Sequence, residues 1–125
     1  MPEPDRGPVS VEADDRGVIR ASAAVRLVRR PQAELLCGGI RSSAAGLDAP
    51  RLLMDMRALT RATPAAGIYA LRQMRTFPVD RIALVGANPF MRAFANLVLR
   101  VGRFPEHRFF DSDAEAWAWL AQDAD

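Results

Sequence analysis

The stretch Arg81-Ile-Ala-Leu-Val-Gly86, followed at once by Asn88-Pro89, constrains the fold more than any other part of the sequence. An unbroken apolar run of this length, bounded by arginine and glycine, reads as a strand covered on both faces. Asparagine and then proline supply an N-cap and a first helical turn. A strand buried on both sides and feeding directly into a helix belongs to a layered α/β architecture with crossover connections. The same unit recurs upstream, where Arg51-Leu-Leu-Met-Asp-Met56 leads through a short loop to Thr63-Pro64.

The remaining segments fit around these two units. Val9 to Ala13 and the alternating residues Ile19, Ala21, Ala23, Val25 and Leu27 flank Asp14-Asp15-Arg16-Gly17, which predicts a β-hairpin. Pro31 opens a helix expected over residues 32–45, with Leu35, Leu36 and Ile40 inward and Gly46 as its stop. Its Gly38-Gly39 pair costs about 1 kcal/mol per glycine relative to alanine. A second helix is expected to run on to Pro78. A third spans residues 90–103, with Phe90, Phe94, Leu97, Val98 and Val101 in the core and Met91 and Leu99 at its flanks. After a short strand at Arg108-Phe-Phe110, Ser112 and Glu115 form the capping pair of a last helix, anchored by Ala116, Trp117 and Leu120. The expected order is β-β-α-β-α-β-α-β-α: a mixed, mostly parallel sheet of four or five strands with about four helices and an N-terminal hairpin.

At 125 residues the chain fits one domain, placed at residues 9–122 after a proline-rich lead-in, residues 1–8, expected to be disordered. One cysteine, Cys37, and one histidine, His107, exclude a disulfide framework and an ordinary zinc site, and neither a metal nor a cofactor is expected. No phosphate-binding glycine loop or membrane-length apolar run occurs, and the polar N-terminus points to a cytoplasmic protein. Every basic residue is an arginine. Residues 1–15 carry −4, residues 16–108 carry +11 and residues 109–125 carry −5. A GC-rich genome would produce that arginine bias. The arginines are dispersed and accompany no RNA-reading aromatic motif or helix-turn-helix pattern, so nucleic acid is not the expected partner.

Leu52-Leu-Met-Asp55-Met-Arg57, a loop, and the helix start Ala66-Gly67-Ile68 resemble the STAS domain signature, an apolar strand ending in aspartate before a helix. Residues 81–86, 89–103, 108–111 and 114–120 extend the likeness to the SpoIIAA-like branch, the bacterial STAS/SEC14-type proteins. The resemblance covers roughly residues 9–121 and implies a SpoIIAA-like fold and a regulatory binding module in place of an enzyme. In anti-sigma factor antagonists of this family, a serine at the start of the helix after the central strand is phosphorylated by a partner kinase. A phosphate there adds nearly two negative charges at a helix N-terminus. This chain reads Thr63-Pro-Ala-Ala-Gly67 at that place, and alanine accepts no phosphoryl group. The implied switch therefore does not carry over. Thr63 reads as an N-cap.

What carries over is a docking surface on residues 57–69: Arg57, Thr60, Arg61, Thr63, Ala65, Ala66 and Tyr69, with Arg57 and Arg61 steering an acidic partner. An anti-sigma or kinase-type regulator is the implied partner, with a homodimer as a further option. Other chemistry is weaker on these residues. Asp55 has no acid/base companion in sequence and is expected to cap a loop N–H or pair with Arg57. His107 reads as a surface-loop residue, and Cys37 as a small buried apolar one. Asn88 and Arg92 mark an alternative role, carriage or sensing of a small apolar or anionic ligand. Arg57, Arg61 and the helix starts at Thr63 and Asn88 would frame an anion site.

Overall fold

The computed structural model describes residues 9–74, 76–101 and 106–122. The lead-in expected at residues 1–8 lies outside them. The hairpin forms from β1 (Val9–Ala13) and β2 (Val18–Ala23), paired antiparallel. Asp14 makes its turn: Oδ1 accepts from the Arg16 and Val18 N–H groups at 2.9 and 3.0 Å, and Gly17 takes φ +84°. Partial burial alone would raise the Asp14 pKa, but these N–H groups and the Arg16 guanidinium bring it below the usual carboxylate value.

The strand after the hairpin turn ends sooner than its alternation suggests. The backbone leaves the sheet after Ala23 and forms a two-residue β3 (Leu27–Val28) before α1 (Arg30–Ala44). β4 (Arg51–Asp55) returns to the sheet, and β5 (Arg61–Ala62) pairs in parallel with β3, a second small ladder. Then follow α2 (Pro64–Met74), β6 (Arg81–Val85), α3 (Pro89–Val101), β7 (Glu106–Phe110) and α4 (Asp113–Leu120). The main sheet runs β1-β2-β4-β6-β7, parallel at every pairing except the hairpin.

Strand alternation divides the core into two layers. Ile19, Ala21, Leu52, Ile82 and Leu84 face α1, α2 and α3, whereas Val18, Leu53, Ala83 and Val85 face α4. β6 is buried along its whole length, as its sequence requires. On α1 the inward residues are Ala33, Leu36, Cys37, Ile40 and Ala44, and Leu35 turns out to solvent. Gly39 explains the glycine pair in part: a Cβ there would stand 2.9 Å from Val11 Cγ2, so the missing side chain lets α1 approach β1. α2 stops earlier than Pro78. Its end is held by Arg41 of α1, whose guanidinium donates to the Gln73 carbonyl at 3.0 Å and to the Thr76 hydroxyl at 2.9 Å.

The helical faces differ from the sequence expectation in two places. On α3, Met91 and Leu99 are buried, while Phe90 and Leu97 are 49% and 61% exposed. On α4 the anchors are Ala116, Trp119 and Leu120, with Trp119 4% exposed. Trp117 is only partly buried and lies beneath the Arg16 guanidinium, 4.6 Å from the ring centroid. Two arginines close the far end of α4: Arg81 donates to the Trp119 and Gln122 carbonyls at 2.9 and 3.1 Å, and Arg51 to those of Leu120 and Gln122.

Candidate functional site

The loop after β4 lies at the C-terminal edge of the parallel strands, where α/β sheets place variable surface. Met56 N–H donates to the Val85 carbonyl at 2.8 Å, prolonging the β4–β6 ladder by one bond. Beyond it the chain folds onto Arg26. The Arg26 carbonyl accepts from the Thr60 N–H, the Arg61 N–H and the Thr60 hydroxyl at 2.8, 3.0 and 2.8 Å. Asn88 holds the other side. Its Oδ1 caps α3 by accepting from Met91 N–H at 2.7 Å, and its Nδ2 donates to the Thr60 carbonyl at 3.2 Å. Both ends of the Asn88 amide therefore serve the scaffold.

Thr63 caps α2 as its sequence predicts, its Oγ1 accepting from Ala66 N–H at 3.2 Å. Ala66 lies in the core, 1% exposed, whereas Ala65 faces solvent. Gly67 permits the next close approach: a Cβ there would sit 2.9 Å from the Phe94 ring. The exposed rim comprises Ala58, Thr60, Arg61, Pro64 and Ala65, with Leu59 buried beneath it. Tyr69 is set back on α2 with the Arg30 guanidinium 5.5 Å from its ring, and burial, then Cys37 and Glu34, push its phenol above the ordinary pKa.

The two loop arginines have different surroundings. Arg57 belongs to a four-member charge cluster with Asp55, Arg20 of β2 and Asp113 at the start of α4. Arg57 reaches Asp113 at 2.7 Å, and Arg20 reaches Asp55 at 3.2 Å. Asp55 thus plays both expected parts, accepting the Arg57 N–H at 3.1 Å as well as its guanidinium. Gly86 passes under this loop with φ +76°, and a Cβ there would collide with Arg57 Cγ. Arg61 is exposed and has no ion pair among the described residues. The anion site sketched from the sequence is thus narrowed, since Arg57 already faces two carboxylates and each helix start is closed by its own cap side chain.

The other candidates sit apart. Arg92 lies over Phe109 at 4.9 Å and 3.8 Å from Asp111, not among the contacts of the β4–α2 loop. His107 is not a loop residue. It lies within β7, half-buried, and its Nε2 donates to Asn96 Oδ1 at 3.0 Å. Burial, then the Arg100 charge, lowers its pKa below the ordinary 6.5. Cys37 is buried as expected, and its thiol is pushed up to about 11 by desolvation. Among the described residues no group of three histidine, cysteine or acidic side chains converges as metal ligands, and no helix is long and apolar enough to cross a membrane.

The long-range members of the cluster, Arg20 and Asp113, carry no local sequence signal. Nor does the Asn88 amide bond to the loop, although its capping role does.

Known structures share this fold. An uncharacterized protein of the DUF3478 family with a SpoIIAA-like fold, from Shewanella loihica, superposes with a TM-score of 0.65 at 19% identity, covering 90% of this chain and 92% of that one. The anti-sigma factor antagonist SpoIIAA in its unphosphorylated form gives 0.62 at 13% identity over 92% and 99% of the two chains. The phosphorylated form of the Bacillus cell fate determinant SpoIIAA gives 0.58 at 14% identity over 90% and 98%. No curated protein matches the sequence. The SpoIIAA-like family model matches residues 23–121, and with the five-stranded sheet and four helices in the family's order, the chain belongs to the SpoIIAA-like family.

Proposed function

We propose that this protein is a non-enzymatic, cytoplasmic regulatory domain that docks a protein partner on the loop and helix start spanning residues 57–69, without a phosphorylation switch. One observation carries the reading. An exposed rim of Ala58, Thr60, Arg61, Pro64 and Ala65 is held in one conformation by bonds from two other elements, the Arg26 carbonyl and the Asn88 amide. A loop fixed in this way offers a partner a preformed surface and loses little entropy on binding. Arg61, with no ion pair among the described residues, supplies the positive charge that would draw an acidic partner.

The absence of the switch rests on chemistry at the start of α2. Ala65 and Ala66 carry no hydroxyl, the Thr63 oxygen is engaged as a cap, and the Thr60 hydroxyl donates to Arg26. Similar structures include an anti-sigma factor antagonist, so a regulator of anti-sigma or kinase type is the class of partner this reading favours.

The experiment is site-specific photo-crosslinking in the native host. A photoreactive amino acid replaces Arg61 or Ala65 in turn, and Asp48, exposed in the loop before β4, serves as the control. Covalent capture of the same protein from positions 61 and 65 but not from 48 is the expected result. No adduct at 61 and 65, or equal capture at 48, overturns the reading.

A further inference from the structure

The layer between the sheet and helices α1, α2 and α3 is not packed solid. A cavity of about 120 Å³ remains there, and its wall is apolar throughout. Small side chains from all three helices leave the space: Ala33 on α1, Ala66 and Ala70 on α2, and Ala95 on α3. Folded interiors normally fill to the density of organic crystals, so a void of this size gives up contacts that larger side chains would make. Water does not compensate, because a buried water needs two to four polar partners and, among the described residues, this wall offers only the weak Cys37 thiol. An engineered apolar cavity of about 150 Å³ stays dry and takes up benzene or xenon.

We propose that this cavity is a binding site for a small uncharged apolar molecule of about the size of one benzene ring, entered past Phe94. Three features support it. Met54, Met56 and Met91 line the wall, and methionine is the side chain that best reshapes itself around an apolar guest. Phe94 also borders the cavity, yet its outer side is only partly buried, stacked on exposed Phe90 at 6.5 Å between centroids. Its ring occupies the space left by the missing Gly67 side chain, so a rotation of that ring opens a path between α2 and α3. Among the described residues no ionisable group other than the Cys37 thiol reaches the wall, and burial keeps that thiol neutral with a pKa of about 11. A charged ligand would find no counter-ion there. Leu59 and Ala66, on the inner side of the docking segment, also line this cavity, but its occupancy is read on the isolated chain and needs no partner.

Protein labelled with ¹³C at its methionine methyls is titrated with benzene and followed by NMR. The methyls of Met54, Met56 and Met91 should shift and saturate. Ala70→Val and Ala95→Val, which fill the cavity from two different helices, should each weaken binding at least tenfold while keeping the wild-type circular dichroism spectrum. Thermal melts of the wild type with benzene give a second reading, an upward shift in Tm that saturates with concentration. Methyl signals that fail to move, or that drift linearly without saturating, overturn the proposal. So does a filled variant that binds benzene as tightly as the wild type.

Discussion

Arg57 and Asp113, 56 residues apart in sequence, meet at 2.7 Å, and their ion pair joins the loop after β4 to the first turn of α4. Asp55 and Arg20 complete the cluster, so each guanidinium faces two carboxylates. Arg57 and Asp113 are substantially exposed, with side-chain accessibilities of 48% and 36%, so screening limits what their pair contributes. Asp113→Ala should cost about 0.5–1 kcal/mol at low salt and less at 0.5 M salt. Asp55→Ala should cost more, about 1–2 kcal/mol, because the Arg57 N–H also loses its acceptor. Urea midpoints at the two salt concentrations check both. Equal losses for the two variants would contradict this ranking.

The last helix gives a sharper contrast. Trp119→Ala should lose about 3–5 kcal/mol, the range for large-to-small changes in a core. Trp117→Ala should lose less than half as much, since that ring is only partly buried beneath Arg16. Denaturation followed by circular dichroism separates them. The opposite order would mean that α4 is rotated on the sheet.

These two tryptophans also mark how far the sequence could be read. Ala114, Ala116, Trp117, Ala118, Trp119 and Leu120 surround α4 with apolar side chains, so spacing alone does not select its inner face. α3 poses the same difficulty, with Phe90 and Leu97 as apolar as the buried Met91 and Leu99. β3 and β5 are two residues each, too short to show any period. By contrast, β6 is legible because it is buried end to end, and Thr63, Asn88 and Ser112 are legible because N-capping is a local bond. At the candidate site the cap Thr63 and the hydroxyl-free Ala65 and Ala66 are written in neighbouring positions. The Arg57–Asp113 pair and the clasp of the loop by Arg26 arise from strand register across the sheet and leave no local trace.

His107 makes stability depend on pH. Its folded pKa lies below the ordinary 6.5, through burial and then Arg100, so the unfolded chain takes up this proton first as pH falls. The stabilisation is complete above about pH 6.5. It is lost as pH drops through the folded value. Between pH 7.5 and 5.5 the urea midpoint of the wild type should fall further than that of His107→Gln. Identical pH profiles would remove His107 as the source.

The segment 57–70 should take up no phosphate in the native host. Peptide mass spectrometry of the protein purified from growing and stressed cells checks this. Stoichiometric phosphate on Thr60 or Thr63 would restore a switch that the residues at the start of α2 argue against.

Docking at the β4–α2 loop is tested most directly at Ala65, which faces solvent in the first turn of α2. A carboxylate in a first helical turn interacts favourably with the helix dipole, by about 0.3–1 kcal/mol, so Ala65→Glu should leave Tm unchanged or slightly raised. The same charge placed in the docking rim should repel an acidic partner. The measurement is a calorimetric titration of the purified partner, identified by crosslinking at position 65, into wild type and Ala65→Glu. At least a tenfold loss of affinity in a variant that melts at or above the wild-type temperature is the predicted result. An unchanged affinity would place the partner elsewhere on the molecule and contradict the account.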